Sequence, residues 1–269
     1  VSLLVDSHCH LDFPDFSEDL DGVVTRANAA GIGLMLTIGT KLHAFPGVRA
    51  VAERFGNIYC SVGVHPHEAE NDWGYAAETL VAETQHPKVV AIGETGLDYY
   101  YDHSPRDLQQ KSFRAHCDAA RRTGLPIIVH TRDADDDTIN LLESELVQGP
   151  FTGVIHCFTG TRRLAEACLA MGFYISISGI ITFKSAADLK QTVADAVPLD
   201  KLLVETDSPY LAPIPHRGKR NEPAFTRKTA ECVAGLKGVS VEALAEATTD
   251  NFFRLFSKVP RAALLERAA

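Results

Sequence analysis

The chain has 269 residues, 45% of them hydrophobic and 23% charged, the make-up of a folded protein with a sizeable core. Its net charge of −9 argues against a surface coated in basic residues for gripping long duplex nucleic acid, while leaving room for a local basic groove. No apolar run approaches the ~18 residues of a membrane span, so no membrane association is expected.

Short β-branched runs recur along the chain, each followed by a segment of helical character. The runs are LLVDSHCH (3–10), GLMLTIG (33–39), IYCSVGVHPH (58–67), VVAIGETGLD (89–98), PIIVHTR (126–132), TGVIHCF (152–158), FYISISG (173–179) and KLLVETDSP (201–209). Between the fourth and fifth, SPRDLQQKSFRAHCDAARRTG predicts a helix that starts at Ser104–Pro105 and stops at Gly124. After the sixth, Leu164, Ala167, Cys168 and Met171 keep helical spacing and Gly172 ends the pattern. Near-continuous apolar strands alternating with helices indicate a parallel sheet covered by helices. Eight such units predict an α/β fold, a (β/α)8 TIM barrel, and barrels of this kind commonly reach about 250 residues as one unit. An open doubly wound sheet is the competing architecture, but no GxGxxG follows the first strand. Two further helical segments follow the eighth run, 221–238 and 241–257; one closes the barrel and one is an additional C-terminal helix. With no low-complexity linker and no repeat, residues 1–269 are expected to be a single domain.

The six cysteines are scattered, with no CxxC pair, and several lie in hydrophobic runs, which suits free thiols in a reducing compartment. Leu3, Leu4 and Val5 lead straight into a histidine pair with no secretory leader before them, so a cytoplasmic location is expected.

Ionisable residues gather where the strands end: His8 and His10, His65 and His67, Glu94, His130, His156 and Asp207. The carboxyl ends of barrel strands share one rim, so residues distant in sequence converge there. Alternation places His8 and His10 on one strand face and Ser7 and Cys9 on the other, making Cys9 a bystander to any ion the histidines hold. Alone, such a pair is as readily two hydrogen-bonding imidazoles; its partners on other strands argue for a divalent metal site. Histidines with carboxylates suit zinc, manganese or iron better than an oxygen-only magnesium site. The ligands outnumber one tetrahedral shell, so two ions sharing a carboxylate are expected, with Mg, Mn and Zn as candidates.

The set DSHCHLD, VGVHPH, IGETGLDYY, IIVHTR, IHCFTG, ETDSPYLAP and RGKRNEP, spread over residues 6–223, resembles the TatD family of metal-dependent deoxyribonucleases, within the amidohydrolase-like metal hydrolases. That resemblance implies His8, His10, Glu94, His130, His156 and Asp207 as metal ligands, with Glu94 bridging the ions. It also implies that His65 touches substrate phosphate or assists proton transfer. A carboxylate beside a metal-activated water is within reach of its proton, which makes Asp207 the candidate general base. Catalytic candidates are thus Asp207, Glu94 and His65. Glu205 shares a strand face with Asp207 and is expected to support a ligand from behind; the alternative is a buried partner for an arginine or lysine in the barrel interior. His67 has either a substrate role or that of a satisfied loop histidine.

Arg217, Lys219 and Arg220 crowd together in HRGKRNEP after the eighth strand, beside Asp207, and are expected to contact phosphate rather than form a plain solvated charge run. Tyr99, with Tyr100 and Tyr101, follows Glu94 on the same rim and either stacks on bases or forms a lid; substrate contact is expected of Tyr99. DADDD (133–137) opens a helix, where carboxylates favour the positive end of the dipole, and is taken as structural, as are Arg121–Arg122 and Arg162–Arg163 on helix surfaces.

The resemblance implies a hydrolase of phosphodiester bonds in DNA, short or single-stranded, acting 3′→5′ on single strands or frayed ends, with no obligate protein partner evident. One rival is a metal hydrolase of the same architecture acting on a small amide, lactone or phosphoester. The other is a scaffold whose metal is structural, which predicts a closed coordination shell.

Overall fold

The β-branched runs become strands because side chains that are apolar on both faces fit a parallel sheet buried on both sides. The computed structural model describes residues 2–72 and 77–264. Its strands are β1 (Leu4–Cys9), β2 (Ile32–Thr37), β3 (Ile58–Val62), β4 (Val89–Asp98), β5 (Ile127–Arg132), β6 (Gly153–Ile155), β7 (Tyr174–Ile177) and β8 (Leu202–Val204). The helices are α1 (Leu20–Ala29), α2 (Phe45–Arg54), α3 (Ala69–Asp72), α4 (Ala77–Glu83), α5 (Arg106–Thr123), α6 (Asp135–Leu146), α7 (Arg162–Ala170), α8 (Ala187–Ala196), α9 (Thr226–Lys237) and α10 (Val241–Leu255).

All the strand pairings are parallel and follow sequence order from β1 to β8. The seam is closed just past the end of β8. Cys9 bridges Ser208, the Asp207 N–H donates to the His8 carbonyl at 2.9 Å, and the His10 N–H donates to the Ser208 carbonyl at 2.8 Å. The predicted barrel is present, and its rim is stitched through His8, His10 and Asp207, members of the expected ligand set.

Two apolar layers hold it. Val5, Leu34, Leu36, Val90, Ile128, Val154 and Leu203 pack together with Phe252, Leu255 and Phe256. These strand residues alternate with neighbours such as Leu4, Met35, Ile127, Ile155 and Val204, which pack with helix residues such as Val23, Phe45, Phe113 and Leu164. The first layer is the barrel lumen, and α10 is the additional C-terminal helix that seals its floor. Each fully buried leucine or phenylalanine there contributes about 1.5–3 kcal/mol relative to exposure.

Helix boundaries follow local chemistry. α5 ends at Gly124, whose φ of 69° suits glycine and whose N–H reaches the Ala120 carbonyl. α7 is capped by Thr161, whose hydroxyl accepts the Leu164 N–H at 3.3 Å.

Two departures matter for the site. The run 58–67 stops being a strand at Val62, and 201–209 stops at Val204, so His65, His67, Glu205 and Asp207 sit on loops. The β1–β2 register also shifts between Asp6 and Cys9. Ser7, expected on the face of Cys9, instead places its hydroxyl 3.0 Å from Ser176 Oγ, while Cys9 points its thiol at the Leu36 carbonyl. A local irregularity adds a side chain to one face, and alternation fails there.

Candidate metal centre

Glu94 lies on β4, buried at the rim, with its two oxygens turned to different neighbours. Oε2 stands 3.3 Å from His8 Nε2 and 4.0 Å from His10 Nε2. Oε1 stands 2.8 Å from His156 Nε2, 3.1 Å from His130 Nδ1 and 3.4 Å from His65 Nε2. Asp207 completes the first side, its Oδ1 lying 3.5 Å from His8 Nε2 and 3.3 Å from His10 Nε2. The six residues expected to ligate metal therefore meet around one carboxylate, with His65 beside them.

The local chain makes this possible. Gly96 pairs with His130 in the β4–β5 ladder, and a Cβ at Gly96 would stand 1.9 Å from the His130 carbonyl. Asp207 has a φ of 58° and Cys157 one of 43°, a region costly for residues with a Cβ. Such backbone is held in place only where surrounding bonds overdetermine it, as at the seam.

The donor spacing fits a cation. His8 Nε2 and His10 Nε2 are 3.3 Å apart, and each is 3.3–3.5 Å from Asp207 Oδ1. Ligands about 2.0–2.1 Å from a tetrahedral ion stand roughly 3.3–3.4 Å from one another. Glu94 Oε2 lies at the open side of that triangle. On the other side, buried His156 Nε2 faces Glu94 Oε1 without hydrogen-bond alignment, a polar atom left without a partner. Three groups have donor atoms gathered closely enough to hold an ion: His8, His10 and Asp207; His65, Glu94 and His130; and His8, His156 and Glu205. His65 is thus placed as a possible donor as well as a substrate-side residue.

Charge states support ligation. Burial alone would raise the Glu94 carboxyl, but the charges of His156 and His65 and the hydrogen bond from His130 hold it well below the usual range. Burial raises Asp207 too, and is outweighed by the His10 hydrogen bond and the nearby His8 charge. Both carboxylates are ionised at neutral pH.

Behind the ligands stand two further acids. Glu205, fully buried, accepts the Cys157 N–H at 2.7 Å and lies 3.3 Å from His156 Nδ1, the supporting position expected of it. No arginine or lysine pairs with it among the described residues. Asp98 was quoted within a motif yet given no role. Its Oδ2 is 2.9 Å from His67 Nε2 and 3.0 Å from His130 Nε2, while Oδ1 accepts the N–H groups of Tyr100 and Tyr101. Carboxylates so placed fix the tautomer and orientation of a ligating imidazole. The period-two spacing Glu94, Gly96, Asp98 was the available signal.

The expected substrate contacts divide. Arg217 and Lys219 are exposed on the loop after β8, Arg217 lying over the Phe183 ring at 4.5 Å. Arg220 turns away: its guanidinium donates to the Asp15 carbonyl at 2.7 Å and lies 3.6 Å from Glu222. Tyr99 is also committed, contrary to expectation. Its hydroxyl donates to Asp137 at 2.7 Å and Arg106 covers its ring at 4.1 Å. Tyr100 and Tyr101 are the exposed members of that trio.

A family model described as TatD related DNase matches residues 5–257. The chain belongs to that family. YcfH of Escherichia coli, described as an uncharacterized metal-dependent hydrolase, is 50% identical over 94% of this chain and 95% of its own length. A TatD protein of Escherichia fergusonii, described as a 3′-5′ ssDNA/RNA exonuclease, is 36% identical over 94% of this chain and 98% of its own. Among solved structures, the TatD homologue YJJV of E. coli superposes with a TM-score of 0.86 at 31% identity, covering 96% of this chain and 98% of its own. This TatD relative is a metal-dependent hydrolase built on the barrel described above. No helix among the described residues is long and apolar enough to cross a membrane.

Proposed function

We propose that this TatD-family hydrolase cleaves phosphodiester bonds in single-stranded or frayed DNA from the 3′ end, as one domain in the cytoplasm. The observation that supports it is Glu94, whose two oxygens each face a separate set of donors. Divalent ions bound there would supply Lewis-acid polarisation of a phosphoryl group and a water that ionises near neutral pH. His8, His10 and Asp207 would hold one ion, His130 and His156 the other, with Glu94 between them. The Asp207 carboxylate, ionised and seated at the rim, accepts the proton released when water attacks phosphorus. His65 Nε2 faces the same centre, 3.4 Å from Glu94 Oε1. Burial pushes His65 down to about 4, so it is neutral and meets the substrate as a hydrogen-bonding group. Arg217 and Lys219 orient the strand from the β8 side. The description of the E. fergusonii relative as a 3′-5′ ssDNA/RNA exonuclease supports a single-stranded nucleic acid and the polarity.

The test is to strip the protein with chelator, restore magnesium, manganese or zinc singly, and follow 3′-labelled and 5′-labelled strands. A ladder shortening from the 3′ end with at least one ion is expected. Inertness toward DNA with turnover of a lactone or small ester would replace this function with the small-molecule one.

A further inference from the structure

Nearly every arginine among the described residues is engaged by a carboxylate, a carbonyl or an amide oxygen. Arg132 and Arg217 are the exceptions: neither side chain makes a hydrogen bond or ion pair, and each lies over aromatic rings instead. Both are exposed on the rim, one at the end of β5 and the other in the loop after β8. Arg217 is already taken as a strand contact. Arg132 has no assigned role.

Its placement is specific. Arg132 follows His130 by two residues on β5, so alternation turns both side chains to the same face. In the ladder it pairs with Asp98, whose carboxylate faces His130 on one side and receives the Tyr100 and Tyr101 N–H groups on the other. That turn presents the two rings to Arg132, with its guanidinium carbon 4.0 Å from the Tyr100 centroid and 4.8 Å from that of Tyr101. A guanidinium held by its face keeps its N–H edge unspent, and that fork matches a phosphate. Of the five carboxylates lining the neighbouring cleft of about 910 Å³, Asp135, Asp136 and Asp137 are bound to Thr161, Arg163 and Tyr99 respectively, leaving Asp133 and Asp188 as its remaining acids. Tyr100 and Tyr101 are 57% and 50% exposed, an uncommon state for large rings that suits contact with unpaired bases.

We propose that Arg132, set on Tyr100 and Tyr101, grips a backbone phosphate of a single strand on the β5 flank of the metal centre, across the mouth from Arg217. This rests on the nuclease function proposed above. The two free guanidiniums would then hold the strand on both sides of the cleaved bond, favouring a flexible single strand over a small ester.

The test measures binding rather than turnover. A fluorescein-labelled, phosphorothioate-linked single strand is titrated by anisotropy with the metal-loaded protein at several salt concentrations. Arg132→Ala is expected to weaken binding roughly tenfold and to make the plot of log affinity against log salt shallower by about 0.7. Arg132→Lys restores the salt slope but not the full affinity, because lysine lacks the planar fork. Arg163→Ala, which removes an arginine already paired with Asp136 in the same cleft wall, leaves binding within twofold. Binding by Arg132→Ala within twofold of the parent, at unchanged salt slope, overturns this inference alone. A parent protein that fails to bind the strand overturns it together with the nuclease function. Since the Arg132 side chain makes no hydrogen bond, the variant keeps its fold, checked by its unfolding midpoint.

Discussion

Two histidine pairs in this chain share the same spacing and meet different ends. His8 and His10 bring both Nε2 atoms to within 3.3 Å of each other, facing the same two carboxylates. His65 and His67 diverge: His65 Nε2 faces Glu94 and His67 Nε2 faces Asp98. The cause is backbone. β1 runs through His8 and Cys9, and a bond to the Ser208 carbonyl carries the extended path on to His10. β3 ends at Val62, and Pro66 begins a short 3-10 turn whose cap is His65 itself. Spacing of two places side chains together only while a strand persists between them.

The comparison can be broken first at the residue both pairs depend on, directly or through His130. Glu94→Ala removes the acceptor of both donor sets, so turnover should fall to the metal-free background, about a thousandfold or more. Elemental analysis of the purified variant should show depleted metal; a variant that keeps the parental rate contradicts the bridging role. Next in size is Asp98→Asn, which leaves the ligands intact but removes the carboxylate behind His130 and His67. Metal affinity should drop by about 10–100-fold, read by competition with a chelating dye, with no such change from substituting Asp102 on the exposed loop.

A pH dependence sharpens the same contrast through stability. Buried His116 accepts the Val64 N–H through Nε2 at 2.9 Å, and its Nδ1 lies 2.7 Å from the Ser112 carbonyl. That pattern needs one N–H and one lone pair, so only the neutral ring fits. Burial pushes His116 down from 6.5 to about 4. Between those values the unfolded chain binds the extra proton, so stability is full above about 6.5 and is lost as pH falls toward 4. Urea unfolding should give roughly 2 kcal/mol less stability at pH 5 than at pH 7 from this group, a loss that His116→Gln reduces. Because Val64 precedes His65, acid should loosen the second pair before the first. The smallest effect is expected for His67→Ala, which loses one hydrogen bond to Asp98 worth about 0.5–1.5 kcal/mol; kcat should fall by tenfold at most.

The barrel was legible because eight apolar runs alternating with helical segments admit few architectures, and six of those runs end in titratable side chains. The ligand set was legible for the same reason, since strand ends share a rim. What escaped lies past the strand ends, where period two no longer applies. Tyr99 was aimed at substrate, yet it spends its hydroxyl on Asp137 of α6, thirty-eight positions away in sequence. Arg220 sat in the right loop but turns to the Asp15 carbonyl on the other side of the chain. Asp98 lies within strand logic, two period-two steps beyond Glu94 on β4. Ser7 was misassigned because a register shift leaves no mark in composition.

With Val5, Leu34, Leu36, Val90, Ile128, Val154 and Leu203 filling the lumen above α10, the barrel is solid and its site opens at one mouth only. A polymer cannot be threaded through it, so whatever is cut must back out by the opening through which it came. A free terminus reaches carboxylates recessed at such a rim easily, whereas the middle of a long chain has to double over to approach them.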